Sequence, residues 1–187
     1  MVGLGNPGPE YERTRHNLGA MVVTLLAERH CERMRPSRGE RSLVSEVRLG
    51  DRRVALAFPQ TFMNDSGMAV ARLVRRYGID DLARLVVVHD ELDLPSGVVR
   101  LKLGGGTAGH NGLRSLQQHL HDNGYARVRI GVGRPPGRQS GADYVLRAPG
   151  KAEKANLDVA VELAADAVGV IAAEGIDAAM NRYNARI

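Results

Sequence analysis

Apolar residues recur along this chain with two periods, and the switches between them mark out its elements. Val2 and Leu4 open a strand pattern that runs into Gly5-Asn6-Pro7-Gly8, where glycine and proline impose a turn. The chain re-emerges at Arg15-His16-Asn17 ahead of a helix predicted over 18–30, with Leu18, Met21, Val22, Leu25 and Leu26 at helical spacing. Cys31 to Arg41 is polar and basic and reads as a loop. Two strands follow, Leu43 to Leu49 and Val54 to Phe58, joined by a four-residue hairpin loop, Gly50-Asp51-Arg52-Arg53. Pro59 closes the second strand, and Thr61 to Gly67 leads into a helix that carries Val70, Leu73, Val74 and Tyr77 and stops at Gly78.

Leu85-Val86-Val87-Val88 is apolar without alternation, as in a strand covered on both faces, and it delivers His89-Asp90-Glu91-Leu92-Asp93 to its C-terminal end. Ligands of open α/β sheets usually sit there. Val98 to Leu103 alternates, with Arg100 and Lys102 opposite Val99, Leu101 and Leu103, and Arg127 to Val132 alternates again. If these two strands share a face, Arg100, Lys102, Arg127 and Arg129 form one positive surface beside the loop Gly104 to Gly112, after which a helix runs from Leu113 to His121. Gly133 to Gly141, with Arg134 and Arg138, has the length and charge of a mobile flap over a phosphate-bearing ligand. Beyond Tyr144-Val145-Leu146, the positions Ala155, Val159, Leu163, Ala167 and Val170 make a long helix, Gly175 breaks it, and a short helix ends at Asn181-Arg182-Tyr183-Asn184. Nothing repeats and no linker separates domains, so one domain over residues 1–187 is expected.

Composition narrows the function classes. With 43% hydrophobic and 25% charged residues the chain has the means to bury a sizeable core. No apolar run is long enough to span a membrane, and the N-terminal stretch has no export pattern, so a cytoplasmic protein is expected. Cys31 is the only cysteine, which excludes an internal disulfide and a cysteine metal site and fits a reducing compartment. The net charge is +5, and Lys102, Lys151 and Lys154 are the only lysines, so the positive charge is mostly arginine. Arginine matches phosphate geometry with paired donors, although a GC-rich coding bias would also favour it.

Candidate chemistry sorts by elimination. Gly3-x-Gly5-x-x-Gly8 matches the dinucleotide fingerprint as a string, but Pro7 and Pro9 bracket its last glycine, and Glu10 and Glu12 would crowd a pyrophosphate. The helix also starts too late, at Leu18, so no nicotinamide or flavin is expected. Six histidines lack metal spacing, and no His-Glu-x-x-His occurs. Asp90, Glu91 and Asp93 offer a hard cation only a solvated turn, so no metal is expected either. Ser66 does not sit in a Gly-x-Ser-x-Gly elbow, and Cys31 lies in a polar loop.

What remains is His16 as a general base on water, a task suited to an imidazole with an unperturbed pKa near about 6.5. Such a base needs an orienting carboxylate, and Asp90 at a strand end is best placed. Asn6, Asn64 and Asn111 each fit an N-cap or turn role singly, but together they suit a site that hydrogen-bonds ester and amide groups without adding charge. His110 reads equally as a helix-start residue and Met63 as core. Gly104 to Gly112 is either a tight structural turn or a backbone anion cradle, and it lacks the Gly-Lys-Ser/Thr of a nucleoside triphosphate loop.

Six blocks, in order and spread over nearly the whole chain, resemble the bacterial peptidyl-tRNA hydrolase family. They are Val-Gly-Leu-Gly-Asn-Pro-Gly (2–8), Thr-Arg-His-Asn (14–17), Thr-Phe-Met-Asn-Asp-Ser-Gly (61–67), His-Asp-Glu-Leu-Asp-Leu-Pro (89–95), Gly-His-Asn-Gly-Leu-Arg (109–114) and Arg-Ile-Gly-Val-Gly-Arg-Pro (129–135). The resemblance implies an α/β fold with a mixed, largely parallel twisted sheet flanked by helices. It also implies a monomeric, metal-free hydrolase without cofactor, acting on the ester between a peptide and the 3′ end of tRNA. It assigns catalysis to His16, Asp90 and Asn6, substrate contacts to Tyr11, Met63, Asn64, His110 and Asn111, and tRNA contacts to Lys102, Arg129 and Arg138. Three departures stand out: only Met1 precedes Val2, Ala108 stands where the family commonly has glycine, and Arg138 replaces a usual lysine. The competing reading is a non-hydrolytic RNA-binding relative of the same fold, of the kind found as a plant organelle splicing factor.

Overall fold

The computed structural model describes residues 1–185. The chain runs through β1 (Val2–Gly3), α1 (Leu18–Arg29), β2 (Arg35–Ser37), β3 (Ser42–Leu49), β4 (Arg52–Pro59), α2 (Ser66–Arg76), β5 (Val86–Glu91), β6 (Val99–Leu103), α3 (Asn111–Leu120), β7 (Ala126–Gly131), α4 (Gly141–Val145), α5 (Lys151–Glu174) and α6 (Ile176–Asn184). The strands form one 7-stranded sheet in the order β2-β3-β4-β1-β5-β7-β6. β4, β1, β5 and β7 run parallel at its centre, and β3 and β6 run against them. This is the mixed, largely parallel sheet expected.

Alternation along the strands feeds two apolar layers. Val86, Val88, Val128, Ile130, Val99 and Leu101 pack under α1, α5 and α6. Val2, Leu4, Ala57 and Val87 pack with Val70 and Leu73 of α2 and Leu113 and Leu116 of α3. The two hydrophobic layers explain why β5 is buried at every position. They also set its odd and even side chains against different helices, so His89 and Asp90 emerge on opposite faces.

Two boundaries differ from expectation. The basic stretch expected as a loop contains β2, which pairs antiparallel with β3 from Arg35↔Val44 to Ser37↔Ser42. Arg35 and Pro36 are exposed, so this edge strand has no apolar alternation to announce it; pairing alone makes it. The hairpin is tighter than expected, since Leu49 pairs with Arg52 across Gly50-Asp51. Gly50 takes φ +60, which a two-residue turn requires at its first position. At the opposite edge, the Asn184 side chain accepts from Leu101 N at 2.9 Å and donates to Leu101 O at 3.0 Å, covering part of the open ladder of β6.

What positions the site is the contact of α1 with the sheet. A Cβ on Gly3 would stand 2.0 Å from Gly19 O, and one on Gly19 would stand 2.2 Å from Val88 O. Ala20 N donates to Leu4 O at 3.0 Å across that contact. Glycine on both sides lets the start of α1 lie on β1 and β5, and the turn before it is carried to the C-terminal end of β5. Gly19→Ala is therefore expected to force α1 off the strands, destabilising the fold by about 2–3 kcal/mol. Thermal melting should show it as a fall in Tm of roughly 5–10 °C; an unchanged Tm would mean that the contact is soft.

Candidate active site

Two short 3-10 turns and two loops converge where β5 ends. His16 and Asn17 belong to the turn Arg15–Asn17, and Met63 to the turn Met63–Asp65. The Asn17 carboxamide holds Asn6 by both backbone groups, accepting from Asn6 N at 2.9 Å and donating to Asn6 O at 2.9 Å. Asn6 Oδ1 in turn accepts from Met63 N at 2.7 Å. One chain of amides thus fixes the 5–8 loop against both turns. Asn17 is invisible as a functional candidate from sequence, because a helix-start asparagine is ordinary.

The centre is a buried carboxylate between two imidazoles. Asp90 Oδ1 lies 2.8 Å from His16 Nδ1 and 3.1 Å from His110 Nε2. His110 Nδ1 accepts from Gly112 N at 3.1 Å and Leu113 N at 3.3 Å, capping α3, so its proton must sit on Nε2 and point at Asp90. His110 is therefore both a helix-start residue and part of the site. With Asp90 accepting from His16 Nδ1–H, the His16 Nε2 lone pair is left as the basic atom. Burial pushes the Asp90 carboxyl up, but the N–H groups of His16 and His110 outweigh it and hold it well below the usual carboxylate range.

A third imidazole lies behind. His89 is fully buried, its Nδ1 donates to Asp90 O at 2.7 Å, and its ring stands edge-on to His110 with centroids 5.0 Å apart. Burial first, then the neighbouring His110 and Arg127, lower its pKa to about 3, which keeps it neutral. Sequence reading assigned His89 no role.

These groups open on a cleft of about 230 Å³ lined by His16, Asp90, His110 and Asn111, with Ala108-Gly109 on one wall and Gly141, Ala142 and Val145 of α4 on the other. A larger cavity of about 370 Å³ lies at the far end of the strands, around Met1 and Ala55, away from these side chains. Asn6, Met63 and Asn64 are not among the residues lining the cleft; Asn6 and Met63 are tied to it through the hydrogen bonds that run from Asn17, next to His16. Asn64 is exposed, and Tyr11 meets Phe62 edge-on at 6.4 Å, Phe62 being 57% exposed.

The strand register places Arg100 opposite Arg129 and Lys102 opposite Arg127, so the four share a face as expected. They do not share a role. Arg127 is buried and donates to Gly105 O and Gly106 O at 2.5 Å each, leaving Lys102 exposed, Arg129 half-buried and Arg138 exposed. The glycine loop turns carbonyls, not N–H groups, toward that guanidinium, and His110 occupies the first N–H groups of α3. The structural-turn reading of Gly104 to Gly112 is thereby favoured over an anion cradle. Ala108 sits at φ +47, so its position does demand the left-handed region, at a cost of about 1–2 kcal/mol for a non-glycine residue. In the 133–141 segment, Arg134 pairs with Asp93 at 2.6 Å.

His16, Asp90 and His110 also offer three potential ligand atoms within 4.8 Å, a grouping that sequence spacing could not show. A metal ion here would have to displace both N–H protons on Asp90, including the one that fixes the His16 tautomer. The donor set fits the hydrogen-bonded arrangement better.

A parallel-centred sheet whose strand ends present a histidine–carboxylate pair in a cleft defines an α/β enzyme. The peptidyl-tRNA hydrolase family model matches residues 1–187. Among relatives, the peptidyl-tRNA hydrolase of Rhodococcus erythropolis is 50% identical over 184 residues, covering 98% of this chain and 96% of the relative. That of Frankia alni is 52% identical over 185 residues, covering 99% and 93%. The crystal structure of peptidyl-tRNA hydrolase from Acinetobacter baumannii superposes with a TM-score of 0.92 at 36% identity, covering 98% and 93% of the two chains. The chain belongs to the peptidyl-tRNA hydrolase family.

Folding stability is expected to fall with acid. The unfolded chain protonates His89 near pH 6.5, whereas the folded site resists until about 3, so the unfolded state binds more protons in that window. Asp90, with its depressed folded-state pKa, adds the same sign at the lower end. Melting curves from pH 8 to 3 should show stability present above 6.5 and lost progressively below it, with a shallower decline in His89→Leu. A Tm that stays flat to pH 4 in the parent would contradict the buried neutral imidazole.

Proposed function

We propose that this enzyme hydrolyses the ester joining a peptide or other N-blocked aminoacyl group to the 3′ end of tRNA, with His16 as general base and Asp90 as its orienting partner. The observation that carries the reading is the 2.8 Å contact of His16 Nδ1 with the buried Asp90 carboxylate at the cleft. Asp90 accepts the Nδ1 proton's hydrogen bond and leaves Nε2 to take a proton from water. The resulting hydroxide attacks the ester carbonyl, and the neutral amide donor of Asn111 on the cleft lining receives the developing oxyanion, with Asn6 and Asn64 contacting substrate where it extends past the cleft. Collapse breaks the bond to the 3′ oxygen, which takes the proton back from His16. The products are the free peptide acid and tRNA. An ester leaves more readily than an amide, so this set needs neither a covalent nucleophile nor a metal.

Tyr11, Met63 and His110 complete the acyl and terminal-nucleotide contacts in this reading, and Lys102, Arg129 and Arg138 hold phosphates. Lys102 and Arg138 are exposed, and none of the described carboxylates pairs with either, which suits that task. The chain acts as one domain and as a monomer, in the cytoplasm where its substrate arises; no helix among the described residues is long and apolar enough to cross a membrane. A non-hydrolytic RNA-binding role is not favoured, since relatives at about half identity are named hydrolases.

His16→Ala is expected to cut release of tRNA from N-acetyl-aminoacyl-tRNA by about 10²–10⁴-fold while leaving tRNA affinity within a few-fold. Turnover that survived the change would remove His16 from the mechanism, and loss of activity on adding a chelator would bring a metal back. Lys102→Ala or Arg129→Ala should raise KM and lessen the salt dependence of binding by about one phosphate contact each; identical salt slopes in parent and variant would place the tRNA elsewhere.

A further inference from the structure

Arg15, the residue before His16, is buried and is not among the residues lining the cleft. Its guanidinium uses every nitrogen. Nε and Nη2 donate to Glu153 Oε1 at 2.8 Å and Oε2 at 2.5 Å, a two-point pair with the first turn of α5. Nη1 donates to Arg147 O at 2.9 Å and reaches Tyr144 O and Ala148 O at 3.3 and 3.4 Å. Tyr144 lies in the last turn of α4, and Arg147 and Ala148 lie in the segment that leads from α4 to α5. The guanidinium carbon also lies 4.0 Å from the centre of the Tyr144 ring. The Tyr144 hydroxyl donates to Val132 O at 3.1 Å, beyond the end of β7.

One cation therefore joins the turn that carries His16, the end of α4 and the start of α5. The consequence lies on the other side of α4, where Gly141, Ala142 and Val145 form the cleft wall that faces His110 and Ala108. α4 has only five residues and is flanked by loops on both sides, so it has little rigidity of its own. Arg15 holds α4 at Tyr144 O and the Tyr144 ring and holds the segment after it at Arg147 O and Ala148 O, and the Tyr144 hydroxyl reaches the same Glu153 at 3.3 Å. Arg15 stays charged at any working pH.

We propose that Arg15 is a positioning residue for substrate: with Glu153 it latches α4 against the His16 turn, and thereby sets the width of the cleft that receives the acyl portion. This inference rests on the hydrolytic reading for its kinetic readout, but not for its structural one. A lysine keeps the charge but has no planar fork with which to hold Glu153 and three carbonyls together.

The test compares parent, Arg15→Lys, Glu153→Gln and the double variant on N-acetyl-aminoacyl-tRNA, at a temperature well below every Tm. Amide hydrogen exchange over residues 141–148 is followed in parallel. Arg15→Lys is expected to raise KM about ten-fold with kcat within about three-fold, and to speed exchange across 141–148 while leaving β5 protected. The double variant should be no worse than Arg15→Lys alone, because both changes break one latch. If KM holds and exchange is unaltered once the folded fraction is corrected, Arg15 serves stability alone and the proposal is overturned. A parent without turnover would sink the hydrolytic reading, and the latch would then stand or fall on the exchange result.

Discussion

A single carboxylate oxygen, buried at the end of β5, accepts hydrogen bonds from two histidines that reach it from different parts of the chain. Removing Asp90 from water disfavours its charge, and only the two convergent N–H groups restore it. The arrangement is consequently demanding: each ring must present a particular nitrogen. His110 is held to its tautomer by capping α3, and His16 then has its proton fixed by Asp90. Backbone amides of a helix start thus help to decide which atom of His16 is basic, through a carboxylate that touches both rings.

Around that centre the chain spends its polar side chains on geometry. Asn17 cross-links the Asn6 loop, Asn6 cross-links the Met63 turn, Arg127 pins the glycine loop, and Arg15 pins α4. Each bond is worth only about 1 kcal/mol net, yet each joins segments far apart in the sequence or loops that no strand pairing holds. The price is visible at Ala108, held in the left-handed region on the cleft wall. Strain of that kind persists where the neighbouring loop is held from both sides, here by Arg127 on Gly105 and Gly106 and by His110 on the start of α3.

The distribution of positive charge follows the same division. Alternation along β6 and β7 puts Arg100, Lys102, Arg127 and Arg129 on one face, but burial sorts them. Arg127 satisfies backbone carbonyls, whereas Lys102 remains in solvent. A count of arginines therefore overstates the surface available to a polyanion, and the register of two strands with the depth of each side chain gives the better measure.

From sequence alone, hydrophobic periodicity determined the strands of the core, all the long helices and the delivery of Asp90 to a strand end, because burial on one face or both imposes a period that survives without coordinates. Ordered motif blocks identified the family resemblance and nominated His16, Asp90 and the asparagines. Tertiary structure alone decided the rest. β2 exists only because β3 lies beside it, and the hairpin turn tightened because pairing could run on to Arg52. Which tautomer each histidine holds, that Asn17 and Arg15 serve the site from behind, and that His16, Asp90 and His110 meet at all depend on contacts between residues 74 and 20 positions apart. Periodicity reports how each segment faces its own core; it carries no record of which segments become neighbours.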